Sequence, residues 1–257
     1  MKDAPAGKLR LTEHYLCAEG EGRTLGALTY LVRLSGCDLR CWWCDSKFSS
    51  FFDDEERMVR AVDIEAAALK SGAAWASFTG GEPTWRGGVE LKTLAGLCRR
   101  LRRKGLKVKF ESNGRRRPKE LRGVVDLWSL APKWDGRRKG AQARTLAMDY
   151  DEGALLEAVS AAKDGQLQLK FVVTYTSEGL RRTDLSRAVK ILQGLGTKAT
   201  RFPAYFIPEA YAAGDYLARC RALEAAVMRL GKGALKGWEL HVQPQMHRVL
   251  HGDARRR

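Results

Sequence analysis

The chain has 257 residues, 44% of them hydrophobic, and a formal net charge of +16. That length fits one large α/β domain better than two small ones, and the apolar share supports a packed core. No apolar run approaches the ~20 residues of a membrane-spanning helix. The opening MKDAPAGKLRL lacks the apolar stretch of a secretory signal, so membrane insertion and secretion are not expected.

Residues 27–35, ALTYLVRLS, read as a buried strand that leads directly into GCDLRCWWCDS. Residues 60–70 have helical spacing. Residues 74–78, AWASF, read as a short strand ending at Thr79-Gly80-Gly81-Glu82-Pro83. An amphipathic helix is predicted over 90–104, closed by Gly105. Strands recur at 106–111, 124–129 and 167–173, with helices at 153–163, 179–194 and 209–230 and a last strand near 238–243. This alternation points to a parallel sheet with crossover helices. The cysteine loop, TGGEP, ESNG and APK all follow strands, where parallel β/α folds build their sites. Residues 136–142, GRRKGAQ, read as a mobile loop. The chain 1–257 is expected to form a single domain, with its core at about 11–251, a short flexible N-terminus and a basic tail.

Cys37, Cys41 and Cys44 have the spacing C-x3-C-x2-C, and the other cysteines, Cys17, Cys98 and Cys220, are scattered. Three clustered and three scattered thiols do not make a secreted disulfide framework. A closed zinc site needs four ligands, here only by borrowing a distant one such as Cys17 or a histidine. A 4Fe–4S cluster has four iron corners, usually held by cysteines, and three cysteines leave one corner for something that is not protein. A low-potential cluster suits the reducing cytoplasm, where the protein is expected.

Basic residues fall in blocks: Arg99, Arg100, Arg102, Arg103 and Lys104; Arg115, Arg116, Arg117 and Lys119; Arg137, Arg138 and Lys139; Arg255, Arg256 and Arg257. They read either as solvated helix faces and a tail or as an electrostatic footprint for RNA. The first reading is favoured, because no nucleic-acid fold motif accompanies them.

An ordered set of motifs runs from residue 19 to residue 247. It comprises Glu19-Gly20-Glu21-Gly22, Gly26, Val32-Arg33-Leu34, Gly36-Cys37, Leu39-Arg40-Cys41 and Trp43-Cys44-Asp45-Ser46. Thr79-Gly80-Gly81-Glu82-Pro83, Glu111-Ser112-Asn113-Gly114, Pro132-Lys133, Leu169-Lys170-Phe171-Val172-Val173 and Pro244-Gln245-Met246-His247 follow. The set resembles the radical S-adenosylmethionine (SAM) superfamily and, within it, the 7-carboxy-7-deazaguanine synthase family. The resemblance implies a partial, incompletely closed β/α barrel of about six parallel strands, with a cluster at its mouth. It implies a lyase that converts 6-carboxy-5,6,7,8-tetrahydropterin to 7-carboxy-7-deazaguanine with loss of ammonia, in queuosine-type deazapurine biosynthesis. The implied cofactors are a 4Fe–4S cluster, SAM and Mg2+.

By the same resemblance, Cys37, Cys41 and Cys44 hold the cluster and Ser46 ligates magnesium. Trp43, Cys44, Asp45, Gly80, Gly81, Ala131, Pro132 and Lys133 contact SAM. Ala18, Glu19, Gly20, Arg33, Thr79, Gln245 and His247 contact the substrate, with Arg33 on its carboxylate. No side chain has a catalytic role of its own. Arg33 sits in an otherwise apolar strand, and its planar fork suits a bidentate carboxylate. An internal salt bridge to Glu19 or Glu21 is the alternative. The glycines of TGGEP are expected to let backbone approach the SAM ammonium closely.

Three residues depart from the family pattern. Glu19 stands where glutamine is usual, which makes a pure acceptor. Ser46 replaces threonine and keeps the hydroxyl. Ala131 replaces a serine, so one hydrogen bond to SAM is expected to be missing, with Ser129 the candidate to replace it. The implied partners are a pterin, an electron donor such as flavodoxin and a second copy in a homodimer, with no membrane. Two other functions compete: another radical SAM enzyme, glycyl-radical activating or peptide-modifying, and a non-enzymatic metal-binding protein associated with RNA.

Overall fold

The computed structural model describes residues 5–51, 55–134, 150–210 and 215–252. The expected loop at 136–142 and the basic residues at 137–139 and 255–257 lie outside the described residues.

Strand β1 (Lys8–Ala18) runs into the EGEG turn, and β2 (Leu28–Leu34) returns antiparallel to it. The short helix α1 (Lys47–Ser50) follows the cysteine loop, and β3 (Arg57–Arg60) pairs antiparallel with the start of β1. Alternation then begins with α2 (Ala61–Lys70), β4 (Trp75–Gly80), α3 (Gly88–Arg103) and β5 (Lys107–Ser112). It continues through β6 (Leu127–Leu130), α4 (Glu152–Ala161) and β7 (Leu167–Val173). A hairpin of β8 (Tyr175–Thr176) and β9 (Gly179–Leu180) precedes α5 (Arg182–Leu195). The chain closes with β10 (Ala204–Pro208), α6 (Tyr216–Lys232), β11 (Leu240–Val242) and α7 (Met246–His251).

Among the described residues nine strands form one open sheet, in the order β11-β10-β7-β6-β5-β4-β2-β1-β3. The run from β2 to β11 is parallel throughout. It holds seven strands where the sequence leads one to expect about six, and β10 is the addition. The sheet does not close, and its far edge is the antiparallel pair β1 and β3.

Parallel strands covered on both faces usually read as unbroken apolar runs. These alternate instead. Val32, Phe78, Val108, Phe110, Leu169 and Phe171 turn to one face and join the main core. Phe78 packs on Phe110 at 5.1 Å between ring centroids, and Phe110 on Trp128 at 5.3 Å. Each fully buried phenylalanine contributes roughly 1.5–3 kcal/mol relative to exposure. The strand pleat sends the intervening residues to the opposite face. That face carries Arg33, Ser77, Thr79, Lys109, Glu111, Gln168 and Lys170, in matched register from β2 to β7. A hydrophobic layer under the helices thus supports a polar floor.

Local signals explain most boundaries. Leu91, Leu94, Cys98 and Leu101 form the buried stripe of α3. Gly105, at φ +93°, ends it in a Schellman motif: its amide donates to Arg102, and that of Leu106 donates to Leu101. Asp151 and Asp215 cap α4 and α6 by accepting the amides of Ala154 and Ala218, each at 2.9 Å.

Several expected boundaries move. The helix expected over 179–194 starts at Arg182, because Gly179 and Leu180 pair with β8. The one expected over 209–230 starts at Tyr216, after its aspartate cap, while the Glu209 amide extends the β7 ladder by donating to Val173. The strand expected at 124–129 lies at Leu127–Leu130, because the carboxylate of Asp126 accepts the Val108 amide and ends the ladder there.

Candidate active site

The carboxyl ends of the parallel strands deliver the polar motifs to one end of the sheet. After β2 the chain turns at Gly36, at φ +82°, and its amide donates to the Ser49 carbonyl. Arg40 caps the inside of the cysteine loop by donating to the carbonyls of Cys37 and Leu39 at 2.7 and 2.9 Å. Leu39, Cys41 and Trp43 bury themselves as a small cluster beside Val172.

Cys37, Cys41 and Cys44 are free and line one cavity. Burial pushes all three thiols up, Cys41 to about 12. Burial thus favours the neutral thiols, and a bound metal must displace their protons. Among the described residues no three His, Cys, Asp or Glu side chains gather around one ion-sized point. A single zinc ion asks for ligands gathered at one such point. A cubane asks for something else, since each thiolate then takes a different iron. Three free thiols around one cavity fit that demand.

The TGGEP turn docks directly on this loop. The Gly81 amide donates to Leu34, and the Glu82 amide donates to Gly36. A β-carbon on Gly80, at φ +107°, would lie 2.4 Å from the Leu34 carbonyl oxygen. The two glycines are thus required by close packing against the end of β2 and the loop. This reason stands beside the expected one, close approach to a ligand. The Glu82 carboxylate accepts from the hydroxyls of Thr84 and Ser112 at 2.7 and 2.8 Å and from the Asn113 amide at 2.6 Å. Burial pushes its carboxyl up while those donors pull it down. Asn113 in turn donates to Asp38 inside the cysteine loop at 2.9 Å. Glu82, Asn113 and Asp38 are positioning residues, a role their motifs do not reveal.

A second, larger cavity adjoins the first, and Asp45, Ser46, Thr79, Glu111 and Lys170 line both. Ala18, Glu19, Gly20, Arg33 and His247 line the larger one. Trp43, Gly80, Gly81, Ala131, Lys133 and Gln245 line the smaller one. Gln245 thus lines the smaller cavity and reaches its boundary with the larger one through bonds to Glu21 and Asp45. Pro132 lines neither cavity. Nor does Ser129, whose hydroxyl accepts from Gln168 at 2.8 Å.

The floor is a buried charge network. Lys109 is completely buried, 2.7 Å from Glu111 and 3.2 Å from Glu19. Lys170 donates to Glu21 and Glu111 at 2.5 Å each. Burial opposes the charge on both lysines, but the glutamates outweigh it and hold both pKa values above the ordinary range. Burial likewise opposes the charge on Glu21 and Glu111, and the lysines hold both carboxyls low. Gln245 donates to Glu21 at 2.5 Å and to Asp45 at 3.2 Å. The glutamate at position 19, in place of the usual glutamine, has a cationic partner beneath it in Lys109. The lysines leave a mark in LKVKFE and LQLKFVV, where they interrupt apolar strands.

Arg33 donates through Nε to Glu13 at 2.8 Å, its direct cross-strand neighbour in β1. Neither Glu19 nor Glu21 is its partner. A register shift between Leu11 and Glu13 sets this pairing. Glu13 and Tyr15 belong to a strand that the sequence pattern does not announce, and no motif marks them. The C-terminal segment closes the cavity: the Met246 amide donates to Gly20 at 3.0 Å, and a β-carbon on Gly20 would meet His247 Nδ1 at 2.6 Å.

No family model matches the chain. A 7-carboxy-7-deazaguanine synthase of Halobacterium salinarum is 33% identical over 182 residues, 68% of this chain and 67% of that protein. The chain belongs to the 7-carboxy-7-deazaguanine synthase family. A second synthase of that name, from Rhodopirellula baltica, is 33% identical over 130 residues, 51% of this chain and 47% of that protein. The match thus spans about half the length of that relative. The crystal structure of QueE from Escherichia coli superposes with a TM-score of 0.62 at 18% identity, covering 92% of this chain and 94% of that one. This likeness establishes the fold. Among the described residues no helix is long and apolar enough to cross a membrane.

Proposed function

We propose that this chain is a radical SAM lyase that converts 6-carboxy-5,6,7,8-tetrahydropterin to 7-carboxy-7-deazaguanine with release of ammonia. The observation that carries the reading is the junction of two cavities. One is lined by three free thiols, and the other by an arginine held at the end of a parallel strand. Family membership favours this reading over a peptide-modifying or glycyl-radical activating enzyme and over an RNA-associated metal protein.

Cys37, Cys41 and Cys44 would hold a 4Fe–4S cluster at three of its corners. Such a cluster, once reduced, would supply the one-electron chemistry that cleaves bound SAM. Lys133 offers a cation to the SAM carboxylate, and Trp43, Asp45, Gly80 and Gly81 shape the adjoining wall. The Ser46 hydroxyl lies at the boundary of both cavities, 3.7 Å from the Cys44 sulfur, and makes no helix cap. It is a hard oxygen donor of the kind Mg2+ accepts beside substrate oxygens and water.

Arg33 keeps the rest of its fork for a substrate carboxylate while Glu13 fixes its Nε. Glu19, Gly20, Thr79 and His247 line the space beside it, where acceptors meet the donor-rich edge of a pterin. The buried lysines keep Glu21 and Glu111 ionised despite their burial. The reading implies a one-electron donor such as flavodoxin, a homodimer and the cytoplasm. It does not call on nucleic acid. Arg100, Arg102 and Arg115 of the basic blocks pair with Glu65, Asp126 and Asp38.

The test is anaerobic turnover. Reconstituted protein, given SAM, reductant and the carboxytetrahydropterin, is expected to yield 7-carboxy-7-deazaguanine by mass. SAM cleavage without that product would reassign the substrate.

A further inference from the structure

The polar face of β4 holds two hydroxyls, at Ser77 and Thr79, two residues apart and on the same side of the pleat. Both line the larger cavity. Ser77 lies in register with Leu31 on β2 and with Lys109 on β5, so it sits one step deeper than Thr79, which faces Arg33. Its residue is 1% exposed, and among the described residues its Oγ has no hydrogen-bond partner. A buried hydroxyl left unpaired costs about 1–3 kcal/mol. An alanine there would avoid that cost and fill nearly the same space.

We propose that Ser77 is a specificity-determining contact at the floor of the larger cavity, hydrogen-bonded to a polar atom of the bound heterocycle. This rests on the reading of that cavity as the pterin site. The chemistry around Ser77 defines the ligand it serves. Arg33 takes a carboxylate at one end, while Glu19 and Glu111 accept from a donor-rich edge. A hydroxyl donates and accepts, so it can meet either a ring N–H or a ring nitrogen or carbonyl between those ends. Ligand binding then completes a hydrogen bond that folding alone leaves unmade. The site thereby discriminates against flat apolar rings, which would leave Ser77 unpaired.

The experiment compares the full-length wild type with Ser77→Ala. Binding is read by fluorescence titration with pterin-6-carboxylate, a stable oxidised relative of the substrate. Unfolding of the ligand-free protein is read by its Tm. The expected result is a Kd raised roughly five- to tenfold, the loss of one neutral hydrogen bond. The Tm of Ser77→Ala is expected to be equal to or above that of the wild type, because an unpaired buried group has been removed. A lower Tm with unchanged Kd would make Ser77 structural and overturn the proposal. Unchanged Kd and Tm would also overturn it. Absence of binding by the wild type would remove the pterin reading and this contact together, an outcome distinct from the other two.

Discussion

A β-carbon on Gly81 would stand 1.7 Å from the carbonyl oxygen of Gly36. No rotamer relieves such a clash, because both partners are backbone. The TGGEP turn and the start of the cysteine loop are therefore one packed unit, joined further by the Glu82 amide donating to Gly36 at 2.8 Å. Gly81→Ala is expected to cost about 3 kcal/mol or more by overpacking and to lower the retention of iron and sulfide. Gly87→Ala, which would meet no atom within 4 Å, is the control and is expected to be near neutral. Thermal unfolding and metal analysis of the two variants check this, and equal behaviour would refute the docking argument.

Glu13, which is buried, and the half-buried Arg33 form a cross-strand pair at 2.8 Å. Arg33→Met leaves a carboxylate without this cation and is expected to cost about 3–5 kcal/mol. Adding Glu13→Leu removes that carboxylate and should restore most of the stability. Turnover is expected to stay lost in both variants, because the substrate carboxylate then has no fork to meet. Denaturant titration paired with product analysis separates the two roles. Wild-type turnover in the double variant would exclude Arg33 from substrate binding.

Lys170 stands between Glu21 and Glu111. Both carboxyls are held below the ordinary 4.5, so their share of stability is complete above that pH and is lost as pH falls through the lowered values. The wild type is therefore expected to weaken only below about pH 4.5 through these groups. Lys170→Met removes a cation shared by the two glutamates. It is expected to be strongly destabilised at pH 7 and to regain stability towards pH 5, where a carboxyl can protonate. Denaturant midpoints at pH 7, 5 and 3 for both proteins test the opposite slopes. A variant that tracks the wild type across that range would contradict the network.

Much of this architecture is legible in the amino-acid sequence. The strand at Leu167–Val173 lies where its apolar run places it, and Gly105 ends α3 as expected. The motifs lie at strand ends around two joined cavities. Other parts are hidden for physical reasons. β1 mixes the core leucines Leu9 and Leu11 with the exposed Leu16 and with Glu13, Tyr15 and Cys17, and its register shift breaks a clean alternation. β10 is five residues long and ends in proline, which masks its strand character. The partner of Arg33 depends on cross-strand register, and the pairing of Lys109 and Lys170 with three glutamates depends on tertiary packing. Local sequence encodes neither.

Anaerobic reconstitution followed by iron, sulfide and zinc analysis bears most directly on the three-thiol cavity. Wild type is expected to bind about four irons and four sulfides per chain, and Cys41→Ala to retain neither. One zinc per chain with no sulfide in the wild type would contradict the account.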